Sequence, residues 1–308
     1  MKLVKKLPVT VIILTLNEED NLAGAIESVK EWAQEIFIVD SLSTDKTVDV
    51  ALEQGVNIVQ HPFINYGDQW GWALERLPIR TAWILKLDAD ERVSPSLAQE
   101  FRDCLENEPK EDGFIVRIRL WFLRKPLHVE IRTCRLWRKD KGQFSDVIVN
   151  EHLHIDGVAG RFKGFIEHLD SVNLHRWYEK QNRYTTMEAI MRVKGDRFAA
   201  KPNLFGKALE RRMFFKKHFY DIPLRYQIQW LYEAIWRRAL LDGLTGLAWV
   251  RLRIEVQRAI ELKTKQMRIT GNIPELCEVP KTNFDARILS LPLQRLVSSK
   301  NMGGKAEK

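Results

Sequence analysis

The stretch Trp83-Ile-Leu-Lys-Leu-Asp88-Ala-Asp90-Glu91 decides the expected fold. Its first five residues, Trp83–Leu87, form a largely apolar run that is typical of a strand buried on both faces of a parallel sheet. Carboxylates follow at the carboxyl end of this strand, where open α/β sheets bind their ligands. On an extended backbone Asp88 and Asp90 point the same way, and such oxygen pairs suit Mg²⁺ or Mn²⁺ shared with substrate phosphates. The alternative is a polar turn after a core strand.

The residues before this stretch alternate between strand and helix patterns. Strands are expected at Val9–Leu14, Glu35–Val39 and Val56–Val59, with a helix after each. In the first helix apolar residues recur at helical spacing, and Asn17 is expected to be its N-cap. This β-α rhythm predicts a parallel, doubly wound sheet, and therefore an α/β fold.

The pattern changes after the fourth strand. A helix is expected from Pro95 to about Glu106, followed by antiparallel strands at 113–120 and 129–137. Helices are then expected at 174–195, 203–219, 224–241 and 246–266, separated by Pro202, Pro223 and the glycines at 243 and 246. We therefore predict an α/β domain at 1–170, a basic helical region at 171–268 and an irregular tail at 269–308, with 298–308 disordered.

Charge is concentrated in the helical half of the chain. The protein has 308 residues and a net charge of +8. Residues 174–265 hold 20 Lys/Arg and 9 Asp/Glu, a net +11, which leaves −3 for the remainder. Trp and Phe are interleaved with these basic residues. The segment therefore predicts either solvated basic faces or docking on a polyanion, such as nucleic acid, a phosphorylated glycan or an anionic membrane surface.

Two other features bound the interpretation. The three cysteines are widely spaced, which argues against a disulfide framework and fits a reducing compartment. No uncharged apolar stretch reaches 18 residues, so no transmembrane helix is expected. The apolar run 9–16 follows lysines as a signal peptide would, but the acidic residues after it favour a buried first strand.

Polar residues follow three of the predicted strands. They are Thr15-Leu-Asn-Glu18, Asp40-Ser-Leu-Ser-Thr-Asp45 and Asp88-Ala-Asp-Glu91. In a doubly wound sheet these segments meet at the edge that binds nucleotides. The chain has no G-x-G-x-x-G and no G-x-x-x-x-G-K-[ST], which disfavours a dinucleotide dehydrogenase and a P-loop NTPase. Carboxylates, hydroxyls and a metal at this edge would suit a nucleotide-diphosphate donor.

The same segments resemble those of inverting family-2 glycosyltransferases, which have a GT-A fold. The resemblance rests on 9–18, 38–47 and 87–91, and covers about the first 100 residues. A narrower resemblance, to lipopolysaccharide core glucosyltransferases that extend the inner-core heptose, covers nearly the whole chain. It rests on Gln69 with Trp72, Asn150-Glu-His152, Gly164 with His168, and Asp242-Gly-Leu-Thr-Gly246.

The resemblance implies roles for particular residues. It places Thr15, Asn17 and Glu18 around uridine, Asp40 and Ser41 at the base and ribose, Gln69 beside the nucleotide, and Asp88 at the ribose or donor sugar. It also implies that Asp90 binds Mn²⁺ or Mg²⁺, with His168 as a further ligand. Glu151 is the implied general base, since an inverting transfer needs a carboxylate that takes the acceptor proton.

These roles predict a metal-dependent enzyme that moves a hexose, glucose by preference, from UDP to a phosphorylated lipid-linked or lipopolysaccharide acceptor. It would work in the cytoplasm, peripherally on the inner face of the cytoplasmic membrane. One alternative is transfer to a peptide or another cell-surface glycan. Others are a non-catalytic nucleic-acid binder, motivated by the basic segment, and a glycoside hydrolase with Asp90 and Glu151 as its carboxylate pair.

Overall fold

The computed structural model of the protein describes residues 5–144, 153–169, 174–195, 198 and 200–274. Its strands are β1 (Leu7–Thr15), β2 (Ala33–Asp40), β3 (Asn57–Gln60), β4 (Trp83–Asp88), β5 (Glu91–Val93), β6 (Gly113–Phe122), β7 (Lys125–Arg138), β8 (Gly142–Phe144), β9 (Leu153–Ile155) and β10 (Ala159–Leu169). Its α-helices are α1 (Leu22–Lys30), α2 (Thr47–Glu53), α3 (Tyr66–Arg76), α4 (Pro95–Leu105), α5 (Leu174–Lys194), α6 (Ala208–His218), α7 (Arg225–Leu231) and α8 (Gly243–Thr270).

One mixed, mainly parallel sheet organises the fold, in the order β3-β2-β1-β4-β7-β6-β10-β5. The first four strands in this order are parallel, whereas β7 runs antiparallel to β4 and β6. In the register of this sheet, Thr15 lies opposite Asp40 and Leu14 lies opposite Asp88. The α/β prediction is confirmed, and the polar ends of β1, β2 and β4 meet at one edge, which we call the carboxyl edge.

Alternating side chains of the central strands are buried on the two faces of the sheet. Val11 belongs to one cluster, which also contains Ile26 of α1 and Phe101 of α4. Its neighbour Ile12 belongs to a second cluster, with Trp70 of α3. Because successive strand residues point to opposite faces, helices on both faces give the continuous apolar runs that the sequence showed.

The prediction that Asn17 caps the first helix is wrong. Asn17 has a positive φ of 57° and precedes a turn, and α1 begins only at Leu22. Its side-chain Oδ1 instead accepts a hydrogen bond from the backbone N–H of Thr44, at 2.8 Å. Because the Asn17 side chain bonds to the loop after β2, it does not cap a helix, and the first helix begins five residues later at Leu22.

The helical half departs from the prediction at two places. The expected helix at 224–241 is broken into α7, a π-turn at Tyr232–Trp236 and a 3-10 turn at Ala239–Asp242. The expected break is present at Gly243, which has a φ of 59° and follows the 3-10 turn, but α8 continues without interruption through Gly246. A Cβ on Gly246 would lie 1.7 Å from the carbonyl oxygen of Ala239, so glycine here permits close backbone packing.

The first of these buried clusters joins the sheet to the helical half. It contains Trp249 and Val250 of α8 together with Phe122 and Leu127 of the β6–β7 hairpin. The predicted domain boundary after residue 170 stays a prediction, and the core runs across it. Most of the predicted tail, 275–308, lies outside the described residues. Within the described ranges, no helix is long and apolar enough to cross a membrane.

Candidate active site

The loops after β1 and β2 are fastened to each other at the carboxyl edge. The carboxylate of Asp40 accepts hydrogen bonds from Thr15 Oγ1 at 3.0 Å, Ser43 N at 3.0 Å and Gln60 Nε2 at 2.9 Å. Asp40 is completely buried. Its carboxylate therefore holds the β2 loop in place, and its predicted contact with a nucleotide base stays a prediction.

Asn17 and Glu18, which follow β1, also bond to the segment after β2. Glu18 N donates to Thr47 Oγ1 at 2.7 Å, and Glu18 Oε2 accepts from Asn21 Nδ2 at 2.8 Å. Burial raises the pKa of Glu18, and the negative charge of Asp90 acts in the same direction. The β1 loop and the acidic turn after β4 lie at the same edge of the sheet, because Leu14 pairs with Asp88.

Gln69 approaches the same space from α3. Its Nε2 donates to Ser41 Oγ and to the backbone oxygen of His61, both at 2.9 Å. The residue is fully buried, and its Oε1 accepts no hydrogen bond within the described part of the chain. A buried amide oxygen without a partner costs free energy, and the predicted contact of Gln69 with a nucleotide stays a prediction.

The acidic residues after β4 do not lie on one extended strand, as the sequence suggested. β4 ends at Asp88, Ala89 and Asp90 form a turn, and Glu91 begins β5. Glu91 is buried, and its Oε2 accepts from the backbone N–H of Asp88 at 2.9 Å. Glu91 therefore stabilises the turn, and the turn separates the directions of the two aspartates.

Arg135 of β7 is a buried residue of this site that the sequence did not reveal. Its Nη2 lies 3.1 Å from Asp88 Oδ2 and 2.6 Å from Glu91 Oε1. Burial alone would raise the pKa of Asp88, but the positive charges of Arg135 and Lys86 outweigh it and lower that pKa. Asp88 is therefore ionised at neutral pH and its orientation is fixed.

Asp90 lies between two basic side chains contributed by distant parts of the chain. Its Oδ1 is 3.5 Å from His168 Nδ1, on β10, and its Oδ2 is 3.1 Å from Lys180 Nζ, on α5. Although burial acts to raise the pKa of Asp90, His168 and Lys180 lower it. His168 was predicted from the sequence, whereas Lys180 was missed among the many lysines and arginines of the basic segment.

Asp90 and His168 fit a divalent cation that retains water and substrate ligands. One carboxylate oxygen and one imidazole nitrogen face each other, and Mn²⁺ accepts both donor types. Within the described ranges, no group of three or more His, Cys, Asp or Glu side chains is arranged around a common point. The protein would thus supply few ligands, as is usual where phosphates complete the coordination of Mg²⁺.

The predicted general base, Glu151, lies outside the described residues, as do its neighbours Asn150 and His152. The segment that contains it follows β8 and precedes β9, which pair in antiparallel fashion with Phe144 opposite Leu153. The other predicted site residues all belong to the described part of the chain. They lie on the β1, β2 and β4 loops, α3 and β10.

Comparisons with known proteins find relatives of this chain. The sequence model described as Glycosyl transferase family 2 matches residues 10–170. A lipopolysaccharide core biosynthesis glycosyltransferase of Rhizobium meliloti, LpsC, is 28% identical over 81% of this chain and 92% of its own length. An uncharacterised glycosyltransferase of Rickettsia typhi is 27% identical over 87% and 93%. The solved structure of residues 1–349 of TarS from S. aureus is 15% identical over 87% of this chain and 92% of that one, with a TM-score of 0.39.

Proposed function

Because the chain belongs to glycosyl transferase family 2, we propose that it moves a hexose, glucose by preference, from a UDP-sugar to a lipopolysaccharide inner-core or other lipid-linked glycan. The resemblance read from the strand-end motifs is confirmed at the level of the family. One observation carries the donor assignment: the polar ends of three parallel strands lie at one edge of the sheet, where β4 leads into the turn that holds the buried Asp90. The relative named for lipopolysaccharide core biosynthesis supports the acceptor class.

In this proposal, one set of the described residues contacts the nucleoside of the donor and another contacts its diphosphate. Asn17, Glu18, Ser41 and Gln69 would surround the uridine, with Asp88 at the ribose or donor sugar. Asp90 and His168 would hold Mn²⁺ or Mg²⁺, which offsets the charge that develops on the departing diphosphate. Lys180, already 3.1 Å from Asp90, would bring a further positive charge to the same place.

The proposed chemistry is a single displacement with inversion. A hydroxyl of the acceptor attacks the anomeric carbon of the donor sugar while Glu151 takes the hydroxyl proton. The new glycosidic bond forms as the bond between the sugar and the β-phosphate breaks, and UDP leaves with the electron pair. No covalent intermediate with the protein is needed, so one carboxylate base is sufficient.

The acceptor is proposed from the charge of the helical half. Its net charge of +11 suits a phosphorylated glycan carried on an anionic membrane surface, and a peripheral position on the inner face of the cytoplasmic membrane would bring the two together. A peptide or another cell-surface glycan is the alternative acceptor. Both alternatives leave the donor site unchanged.

A donor panel tests the proposal. Thermal unfolding is measured with UDP-glucose, UDP-galactose, UDP-N-acetylglucosamine and GDP-mannose, each with and without Mn²⁺. A donor at 100 times its Kd stabilises the folded state by about 2.7 kcal/mol, so a UDP-sugar should raise the Tm only when the metal is present. Asp90→Ala should abolish both this shift and sugar transfer. A protein that no donor stabilises, or an Asp90→Ala variant with wild-type transfer rates, would contradict the proposal.

A further inference from the structure

The outer surface between α7 and the start of α8 is unusually apolar. Six large side chains are each more than half exposed there, from 51% at Leu231 to 85% at Leu244. We call these residues the apolar ridge: Ile228, Leu231, Ile235, Trp236, Leu241 and Leu244. Concentrated exposure of this kind marks a surface that contacts a protein or a membrane.

The helical segment of the ridge is apolar on both its inner and outer faces. Ile228, Leu231 and Ile235 recur at spacings of three and four residues and point outward. On the inner side Ala234 is fully buried, and Trp230 packs against the main core. A helix on the surface of a globular protein normally turns a polar face to water, so the outer face of this one is suited to an apolar medium.

Strained and tightly packed backbone holds the ridge in shape. Leu224 and Arg238 have positive φ angles of 55° and 63°, a region that non-glycine residues rarely adopt. The close approach of Gly246 to the carbonyl of Ala239 fixes the turn between Trp236 and α8. Such strain persists only where surrounding contacts impose it, and it is common at functional surfaces.

The ridge is fastened to the carboxyl edge of the sheet. Arg237 Nη2 donates to the backbone oxygen of Glu130 at 2.8 Å, and His128 N donates to Asp242 Oδ2 at 2.9 Å. Both acceptor and donor lie near the start of β7, which pairs with the end of β6. Since β6 is parallel to β10, the strand that carries His168 near its end, the ridge and the candidate active site lie toward the same edge.

The charged residues around the ridge indicate which kind of partner it contacts. The two acidic residues of this segment, Glu233 and Asp242, have side chains only 5% and 6% exposed and paired with Arg237 and His128. Arg238, between the apolar residues, is exposed. Beside Leu231 an open groove of about 380 Å³ is lined by Tyr226, Gln227, Trp230, Leu231, Ile254 and Arg258. Apolar side chains with cations beside them match the acyl–headgroup boundary of an anionic bilayer.

We propose that the apolar ridge inserts into the headgroup region of an anionic membrane and thereby turns the candidate active site toward the bilayer. The inference rests on the proposed function, because a lipid-linked acceptor would then lie within reach of the carboxyl edge. It deepens that function by assigning the membrane contact to one defined surface. The sequence had indicated only that the basic helical segment as a whole could dock on a membrane.

Vesicle co-sedimentation tests the proposal on the full-length protein. Vesicles of pure phosphatidylcholine are compared with vesicles that contain added phosphatidylglycerol. The wild type should partition onto the anionic vesicles. The double variant Trp236→Glu with Leu244→Glu should lose at least tenfold in partition coefficient, since it removes two large exposed side chains and adds repulsion from the lipid. Both positions are exposed, so its Tm should match the wild type.

Val158→Glu is the matched control. Val158 is also apolar and 66% exposed, but it precedes the first residue of β10, at the opposite edge of the sheet from His168. The control adds one negative charge at an exposed apolar position, as the single variant Trp236→Glu does on the ridge. The partition of the single ridge variant should fall, whereas that of the control should stay within twofold of the wild type. An equal loss in the control would show that net charge, and not the ridge, governs binding.

Other occupants of the ridge give different results. A wild-type dimer that the double variant converts to a monomer, seen by light scattering, would assign the ridge to a second copy and overturn the proposal. Hydrogen exchange at 228–244 is compared with and without vesicles, because helical amides are partly protected in the free protein as well, and the absence of added protection with anionic vesicles would also overturn the proposal. Protection that appears only with anionic vesicles supports it. The donor-induced Tm shift, measured without vesicles, separates the membrane proposal from the proposed function. If the protein shows this shift but does not bind vesicles, the membrane proposal is wrong and the proposed donor binding stands.

Discussion

Replacing Arg135 by methionine should destabilise the protein by about 3 kcal/mol or more. The guanidinium bridges Asp88 and Glu91 from a side chain that is only 7% exposed. Glu91 is 1% exposed, and without Arg135 its carboxylate keeps only the backbone N–H of Asp88 and His168 Nδ1 at 3.7 Å. Removing one partner of such a buried ion pair costs about 3–5 kcal/mol. The Asp88 side chain is 40% exposed, so water screens that contact and its share is about 1 kcal/mol at most.

Urea unfolding at pH 7 measures this loss, and a double-mutant cycle identifies its cause. Glu91→Gln removes the buried charge while keeping an oxygen that can accept from Asp88 N. In the double variant no carboxylate is left unpaired at this position, so Arg135→Met should cost at least about 1 kcal/mol less there than in the wild type. Arg132→Met, on the same strand but with a side chain 67% exposed, should change stability by about 0.5 kcal/mol or less.

The loss should also depend on pH in a defined direction. Arg135 lowers the pKa of Asp88 in the folded state, so the stability from this pair is fully present above the unfolded pKa, about 3.9, and is lost as the pH falls through the folded value. The difference between wild type and Arg135→Met should therefore narrow below about pH 4. A loss under about 1 kcal/mol at pH 7, or additive effects in the cycle, would refute the assignment of a buried, coupled pair.

Three further predictions concern other parts of the molecule. Gly246→Ala should destabilise by about 1–3 kcal/mol through its clash with a backbone carbonyl, whereas Gly71→Ala, with open space on α3, should stabilise by about 0.5–1 kcal/mol; urea unfolding of both compares them. Lys180→Met should raise the KM for the donor about tenfold or more, with Lys180→Arg retaining part of the affinity, because a cation 3.1 Å from Asp90 is lost. Glu151→Gln should lower kcat about a hundredfold or more without changing the donor-induced Tm shift; a changed shift would indicate a binding role.

The strands and the polar residues on the donor side of the fold could be predicted because the patterns that identify them lie within short stretches of sequence. A buried strand shows itself as an apolar run, and the polar residues that end it are adjacent in sequence. Once the β-α rhythm fixes a parallel sheet, the ends of β1, β2 and β4 must lie at one edge. Thr15, Asp40 and Asp88 therefore meet in the structure as the sequence indicated.

The partners of the acidic residues could not be predicted, because they depend on long-range register. Arg135 reaches Asp88 only because Leu136 of β7 pairs with Leu85 of β4, and nothing in a basic antiparallel strand specifies that pairing. The turn at Asp90 stood only as the alternative to an extended strand, for a related reason. Its geometry depends on a local hydrogen bond from Asp88 N to Glu91 and on the contact of Glu91 with Arg135, and the second of these requires that β7 lie beside β4.

The position of Lys180 changes how the helical half should be understood. Lys180 lies on α5, and α5 is held against α8 by Lys263, whose Nζ donates to Asn182 Oδ1 at 2.6 Å and to Thr185 Oγ1 at 2.8 Å. The same helix α8 begins within the apolar ridge and packs through Trp249 into the core beneath the sheet. The helices therefore do more than present a basic surface for docking, since they also supply a cation to the acidic turn. A substitution that loosens α8 should weaken donor binding as well as membrane binding, whereas one confined to exposed side chains of the ridge should weaken membrane binding alone.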